Sequence, residues 1–224
     1  MSKILSIIVL ICFAKLSAGD VTGKISFAGV APKPVLIRMD ADKVCKGSHS
    51  SQTVSEEVVV NSNKTLKNVF VYVKSGLTQK FPAPSTSVIL DQKGCEYSPH
   101  VFGIQVGQEL LVTNSDATLH NVHGLGKKNP QFNTAQPLKG MKLKKKFDKS
   151  EVMMKLKCEV HNWMNTYAGV VDNPFFDVSD ANGTFSLKNV PAGSYTIEAW
   201  HEKFGVKEIK VTVTDKGTTA DFAF

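Results

Sequence analysis

Beyond its first residues the sequence has no apolar run long enough to span a bilayer, no window with a helical stripe and no tandem repeat. It also lacks a Ser/His/Asp set, a glycine-rich nucleotide loop and a zinc-hydrolase motif, so an enzyme is not the expected class. The formal charge of +7 over 224 residues is mildly basic and comes without an aromatic-basic binding motif, which sets nucleic acid aside as a partner. Cysteine is scarce, at four residues, and that scarcity is informative.

Lys3, the apolar stretch Ile4 to Phe13 and the small residues Ser17-Ala18-Gly19 have the order of a cleaved export leader over 1–19. The expected mature chain starts at Asp20, is soluble rather than integral to a membrane, and is periplasmic or secreted. Cys12 leaves with the leader, so three cysteines remain. In an oxidising compartment an odd cysteine needs a reason. The simplest partition joins Cys45 to Cys95 and leaves Cys158 as a thiolate held by a metal.

The chain then reads as β almost throughout. Strands are expected at 21–28, 58–60, 69–73, 102–106, 110–113, 141–147, 152–158, 167–171, 184–187, 195–200 and 206–213, with a short helix near 40–44. Turn signals such as Asn182-Gly183 and Pro191-Ala192-Gly193 separate them. Short strands at this spacing predict β-sandwiches. The pattern restarts after Asn173-Pro174, which divides the chain into 20–172 and 173–224. The second piece is too short for a complete sandwich, which leaves two arrangements: the N-terminal strand, with or without 69–73, pairs with it, or 20–172 folds as one domain against which 173–224 packs through Phe175 and Phe176.

The densest chemistry is Cys158-Glu159-Val160-His161-Asn162-Trp163-Met164. A thiolate, an imidazole and a thioether within seven residues suit copper better than magnesium, calcium or structural zinc. A type-1 copper site needs a second histidine, and Leu119-His120-Asn121-Val122-His123 offers one. Strand alternation puts Val152, Met154, Leu156 and Cys158 on one apolar face.

At these residues the chain resembles the cupredoxins, type-1 copper proteins of the amicyanin and plastocyanin kind. The resemblance covers roughly 95–172 and implies a Greek-key sandwich with His120, Cys158, His161 and Met164 around one copper ion. It further implies that Asn121 ties the two ligand-bearing loops together, and that His161 lies near the surface as the electron exit. Two departures stand out: Asn162 where the amicyanin-like loop has proline, and Lys157 where many relatives carry an aromatic residue. The segment from Asp180 to Tyr195 resembles the carboxypeptidase regulatory-like, transthyretin-like sandwich, which speaks to fold and not to catalysis.

These readings converge on an all-β blue copper protein that carries single electrons between periplasmic protein partners. The competing readings are a non-redox copper-delivery protein and a structural interaction module. Lys142, Lys144 and Lys146 alternate with Met141, Leu143 and Phe147. Their cationic strand face is either a docking surface for an acidic partner or a solvated edge guarded against aggregation.

Overall fold

β-Branched and aromatic residues fit a pleated surface, and their spacing of two decides which side of each strand meets a core. The computed structural model describes residues 17–224 and is all-β apart from one five-residue helix. The chain opens with β1 (Ala18–Ser26), passes through α1 (Lys43–Gly47) and returns to β2 (Phe70–Ser75). Then come β3 (Val88–Lys93), β4 (Glu96–Ser98), β5 (Val101–Gln105), β6 (Leu110–Asn114) and β7 (His120–Gly124). They are followed by β8 (Phe132–Gln136), β9 (Lys142–Lys145), β10 (Glu151–Lys157) and β11 (Asn165–Val171). The chain closes with β12 (Phe176–Val178), β13 (Thr184–Pro191), β14 (Gly193–His201), β15 (Gly205–Val213), β16 (Thr218–Thr219) and β17 (Phe222–Ala223).

Two sandwiches result. Sheets β5-β11-β10-β7-β8 and β4-β3-β6-β9 enclose Leu90, Ile104, Leu110, Val112, Leu156 and Val170. Sheets β13-β1-β16, with β17 beside β1, and β12-β2-β14-β15 enclose Val21, Ile25, Val71, Val73, Leu187 and Ile197. β1 runs antiparallel to β13, and β2 lies between β12 and β14. Strands from both ends of the chain therefore build the second sandwich. The leader expected over 1–19 lies outside the described residues as far as 16; Ala18 and Gly19 already pair with Pro191 and Val190.

β2 is buried on both faces. Val71 and Val73 point into the second core, while Phe70 and Tyr72 point at the first sandwich. Gly103 of β5 and Gly169 of β11 stand opposite each other in register. A Cβ on Gly169 would lie 2.3 Å from Phe70 Cζ, and one on Gly103 would lie 2.2 Å from Phe176 Cδ2. The paired glycines thus form a socket for the two rings, which no larger residue would leave open.

Two sequence expectations need correction. Met153 has φ 60° and the β10–β11 register shifts between Glu151 and Met154. This bulge keeps Met154, Leu156 and Cys158 in the core but turns Val152 out to the inter-sandwich contact. The run 58–60 forms no strand; Val60 makes a single bridge to Leu66 across the turn at Asn61 to Lys64.

Candidate metal centre

The end of β10 pairs antiparallel with the end of β7, Leu156 with Gly124 and Lys157 with His123. This brings the cysteine loop against the segment that begins at His120. His120, Cys158 and His161 place one donor atom each within 4.8 Å of the others. Cys158 is the free cysteine among the described residues; the other two are joined, as expected, in the Cys45–Cys95 disulfide. The site is dry: His120 is 0% exposed, Met164 1%, Cys158 2% and His161 3%.

Both imidazoles present Nδ1 to the same point, 3.0 Å apart. Their far nitrogens are engaged by carboxylates. His120 Nε2 lies 2.9 Å from Asp116 Oδ2, and His161 Nε2 lies 3.2 Å from Asp42 Oδ2. A carboxylate only accepts, so each Nε2 carries hydrogen and each Nδ1 is left facing the cluster. Cys158 Sγ is 3.9 Å from His161 Nδ1. Two imidazole nitrogens and a lone sulfur, with the buried Met164 in the same loop, form a soft donor set that fits copper, with spacing compatible with metal–nitrogen bonds of about 2.0–2.1 Å.

The ligand loop is closed by its own backbone. Cys158 N–H donates to the Met164 carbonyl at 3.0 Å, and Met164 N–H donates to the His161 carbonyl at 3.0 Å. His161 N–H points at Cys158 Sγ, 3.4 Å away. Asn121 Oδ1 accepts from Glu159 N–H at 2.7 Å and lies 3.3 Å from Cys158 Sγ, so it spans the two loops. The loop is also tied outward, where Trp163 Nε1 donates to the Cys95 carbonyl at 2.9 Å.

Charge follows this geometry. Burial opposes the His120 cation, but the Asp116 carboxylate and the Cys158 sulfur outweigh it and push its pKa up to about 9. For His161 burial prevails, aided by the neighbouring His120, and its pKa is lowered despite Asp42. Burial also works against the Cys158 thiolate, yet His120 and nearby backbone N–H groups bring its pKa below the ordinary thiol value. Asp42, partly desolvated, is held down to about 2 by the N–H of Cys45, the Thr118 hydroxyl, His161 and the N–H of Val44.

His161 departs from expectation, because it is not a surface residue. The 27–69 connection carries Asp42 and Cys45 over its ring, with Cys45 Sγ 3.5 Å from Nε2. Asp42 and Asp116 were not legible as site residues, since neither stands in the ligand loop. Lys142 and Lys144 are exposed on β9, the edge strand of its sheet, Lys146 is exposed just past its end, and Lys144 reaches Glu109 at 3.3 Å. His123 turns to Glu159, and His100 contacts Glu202 across the inter-sandwich boundary.

Fold and site together define an all-β protein of two sandwiches, one of which buries a His₂Cys donor set with a methionine beside it. Comparison with known proteins adds two kinds of likeness. Residues 162–223 match the family model for the β-sandwich domain of ER membrane protein complex subunit 7. Among solved structures, a copper-containing nitrite reductase from Thermus scotoductus SA-01 is 20% identical, covering 46% of this chain and 25% of its own, at a TM-score of 0.36. An oxidised amicyanin variant is 18% identical over 45% of this chain and 97% of its own, with a TM-score of 0.35. A purple cupredoxin from Nitrosopumilus maritimus is 28% identical over 34% and 81%, with a TM-score of 0.29. The curated proteins contain no match.

Proposed function

We propose that the protein holds one copper ion between His120, Cys158, His161 and Met164 and carries single electrons between protein partners outside the cytoplasm. The observation that carries this reading is the pair of Nδ1 atoms 3.0 Å apart beside a free, buried cysteine. The copper supplies a Cu(II)/Cu(I) couple. The chain fixes the donors in advance through Asp116, Asp42, Asn121 and the closed ligand loop, so the arrangement need change little between oxidation states.

Burial favours a carrier over a delivery protein, because handing on a metal requires ligands a partner can reach. It also suits electron transfer. The cavity that reaches Met164 has about 30 Å³, room for a water and not for an organic substrate. Electrons, unlike substrates, need no open path. The disulfide agrees with an oxidising compartment. The exposed Lys142, Lys144 and Lys146 give an acidic partner protein a place to dock.

The test is an absorption spectrum of the Cu(II)-loaded protein before and after ascorbate. An intense visible thiolate-to-copper band that bleaches on reduction, and that Cys158→Ala abolishes, is the expected result. Met164→Leu should keep the colour and shift the potential. A colourless copper-bound wild type in the oxidised state would overturn the reading.

A further inference from the structure

We propose that Asp42 is a positioning residue for His161, delivered to the metal centre by the long connection from the other sandwich and anchored there by the disulfide. The inference rests on the copper reading for its effect on the metal, but its geometric core stands on the metal-free protein.

The connection between β1 and β2 leaves the second sandwich, crosses to the first, and returns. At its far point Met39 and Cys45 are buried in the first core. Asp42 sits one residue before α1 and caps it: Oδ1 accepts from Val44 N–H at 2.7 Å and Cys45 N–H at 3.1 Å. Its other oxygen, Oδ2, accepts from Thr118 Oγ1 at 2.9 Å and meets His161 Nε2 at 3.2 Å. One oxygen is thus used for local structure and the other is aimed at the imidazole. Asp116 repeats the arrangement on the opposite side. Oδ1 accepts from Gly94 N–H and Oδ2 from Cys95 N–H, each at 2.8 Å, and Oδ2 also meets His120. The N–H groups of both halves of the Cys45–Cys95 bridge therefore hold the two carboxylates that hold the two histidines.

Three consequences follow for His161. Its neutral ring is fixed as the tautomer with hydrogen on Nε2, which leaves the Nδ1 lone pair for the metal. The ring cannot turn about its bond without losing Asp42, so the donor is preorganised. A fixed negative charge behind the ligand favours the more positive oxidation state, which lowers the reduction potential.

The test compares Asp42→Asn with wild type. Asparagine is a good helix cap and keeps an oxygen for Val44 and Cys45, while the charge at Nε2 is lost. Ring nitrogen NMR of the metal-free protein should show a single Nε2–H tautomer for His161 in wild type and a mixture in the variant. Cu(II) affinity should fall about tenfold, and the reduction potential should rise. Thr118→Val, which keeps the charge and the cap but removes the hydroxyl that aims Oδ2, should give a mixed tautomer with a smaller potential shift. Asp40→Asn, an exposed residue paired with Lys46, should change none of these. A wild-type tautomer, affinity and potential in Asp42→Asn would overturn the proposal. If wild type fails to bind Cu(II), the copper reading falls, yet the tautomer measurement still decides the role of Asp42.

Discussion

His120 in the first sandwich and His201 in the second are equally buried, at 0% and 1% exposed, and their proton affinities move in opposite directions. His201 Nδ1 accepts from the N–H of Lys203 at 3.0 Å and of Phe204 at 3.4 Å, while its ring stacks on Phe204 with centroids 4.6 Å apart. Burial then prevails over the nearby Glu202 and Glu57, and its pKa falls to about 4. His120, equally desolvated, has Asp116 and Cys158 against its ring and rises to about 9. Burial alone makes a histidine neutral, and only placed anions reverse it. The second sandwich holds His201 against backbone N–H groups and Phe204, whereas the first sets a carboxylate and a sulfur against His120.

The sharpest way to break this comparison is to remove the disulfide. Under the chain-entropy model, closing a 50-residue separation stabilises by about 4 kcal/mol. Cys45→Ser with Cys95→Ser should therefore cost roughly that much, and the loss should concentrate in the first sandwich. Hydrogen exchange would show it, with amides of β6, β7 and β10 losing protection ahead of those in β13 and β14. Equal loss in both sandwiches would mean that their stabilities are not separable.

A second experiment uses pH on the metal-free protein. His201 has a lowered folded pKa, so its contribution is present above the unfolded value near 6.5 and is lost as pH falls toward 4, up to about 3 kcal/mol. His120 has a raised folded pKa, so its contribution is full below 6.5 and is lost as pH rises through about 9. Urea unfolding across this range should show His201→Asn flattening the acid limb alone. Flattening of the alkaline limb by the same variant would contradict the assignment.

The smallest effect on stability belongs to the lysine edge. Reversing Lys142, Lys144 and Lys146 to glutamate should change unfolding free energy by less than about 0.5 kcal/mol per site. If the edge steers an acidic partner, association in wild type should slow with rising ionic strength, and the reversed protein should bind slowly at all salt concentrations. Salt-independent kinetics in wild type would make the lysines a guarded edge.

The candidate donors could be picked out because Cys158, His161 and Met164 lie within one loop and need no knowledge of the fold. The all-β character was legible for a similar reason, since runs such as Val69 to Val73 carry their own period. What was hidden is what the fold assembles from distant positions. Asp42 and His161 are 119 residues apart, and nothing near Asp42 marks it as more than a helix cap. β7 shows no alternation, because His120, Asn121 and Val122 are all buried, so its strand was unreadable. The bulge at Met153 was equally silent, since Val152 and Met154 look alike in sequence and differ only in which contact they join.

The placement of β1 sets a timetable for synthesis. A chain is made from its N-terminus, so β1 is among the first described strands to emerge, yet its partner β13 begins only at Thr184. All strands of the first sandwich, from Val88 to Val171, are complete before that partner exists. In the interval Val21 and Ile25 have no core, and both edges of β1 are open for unintended pairing. The second edge closes only when Thr218–Thr219 and Phe222–Ala223 arrive beside it. The nascent protein therefore carries a finished half and an unfinished half at the same time, and its hazard during synthesis lies with β1.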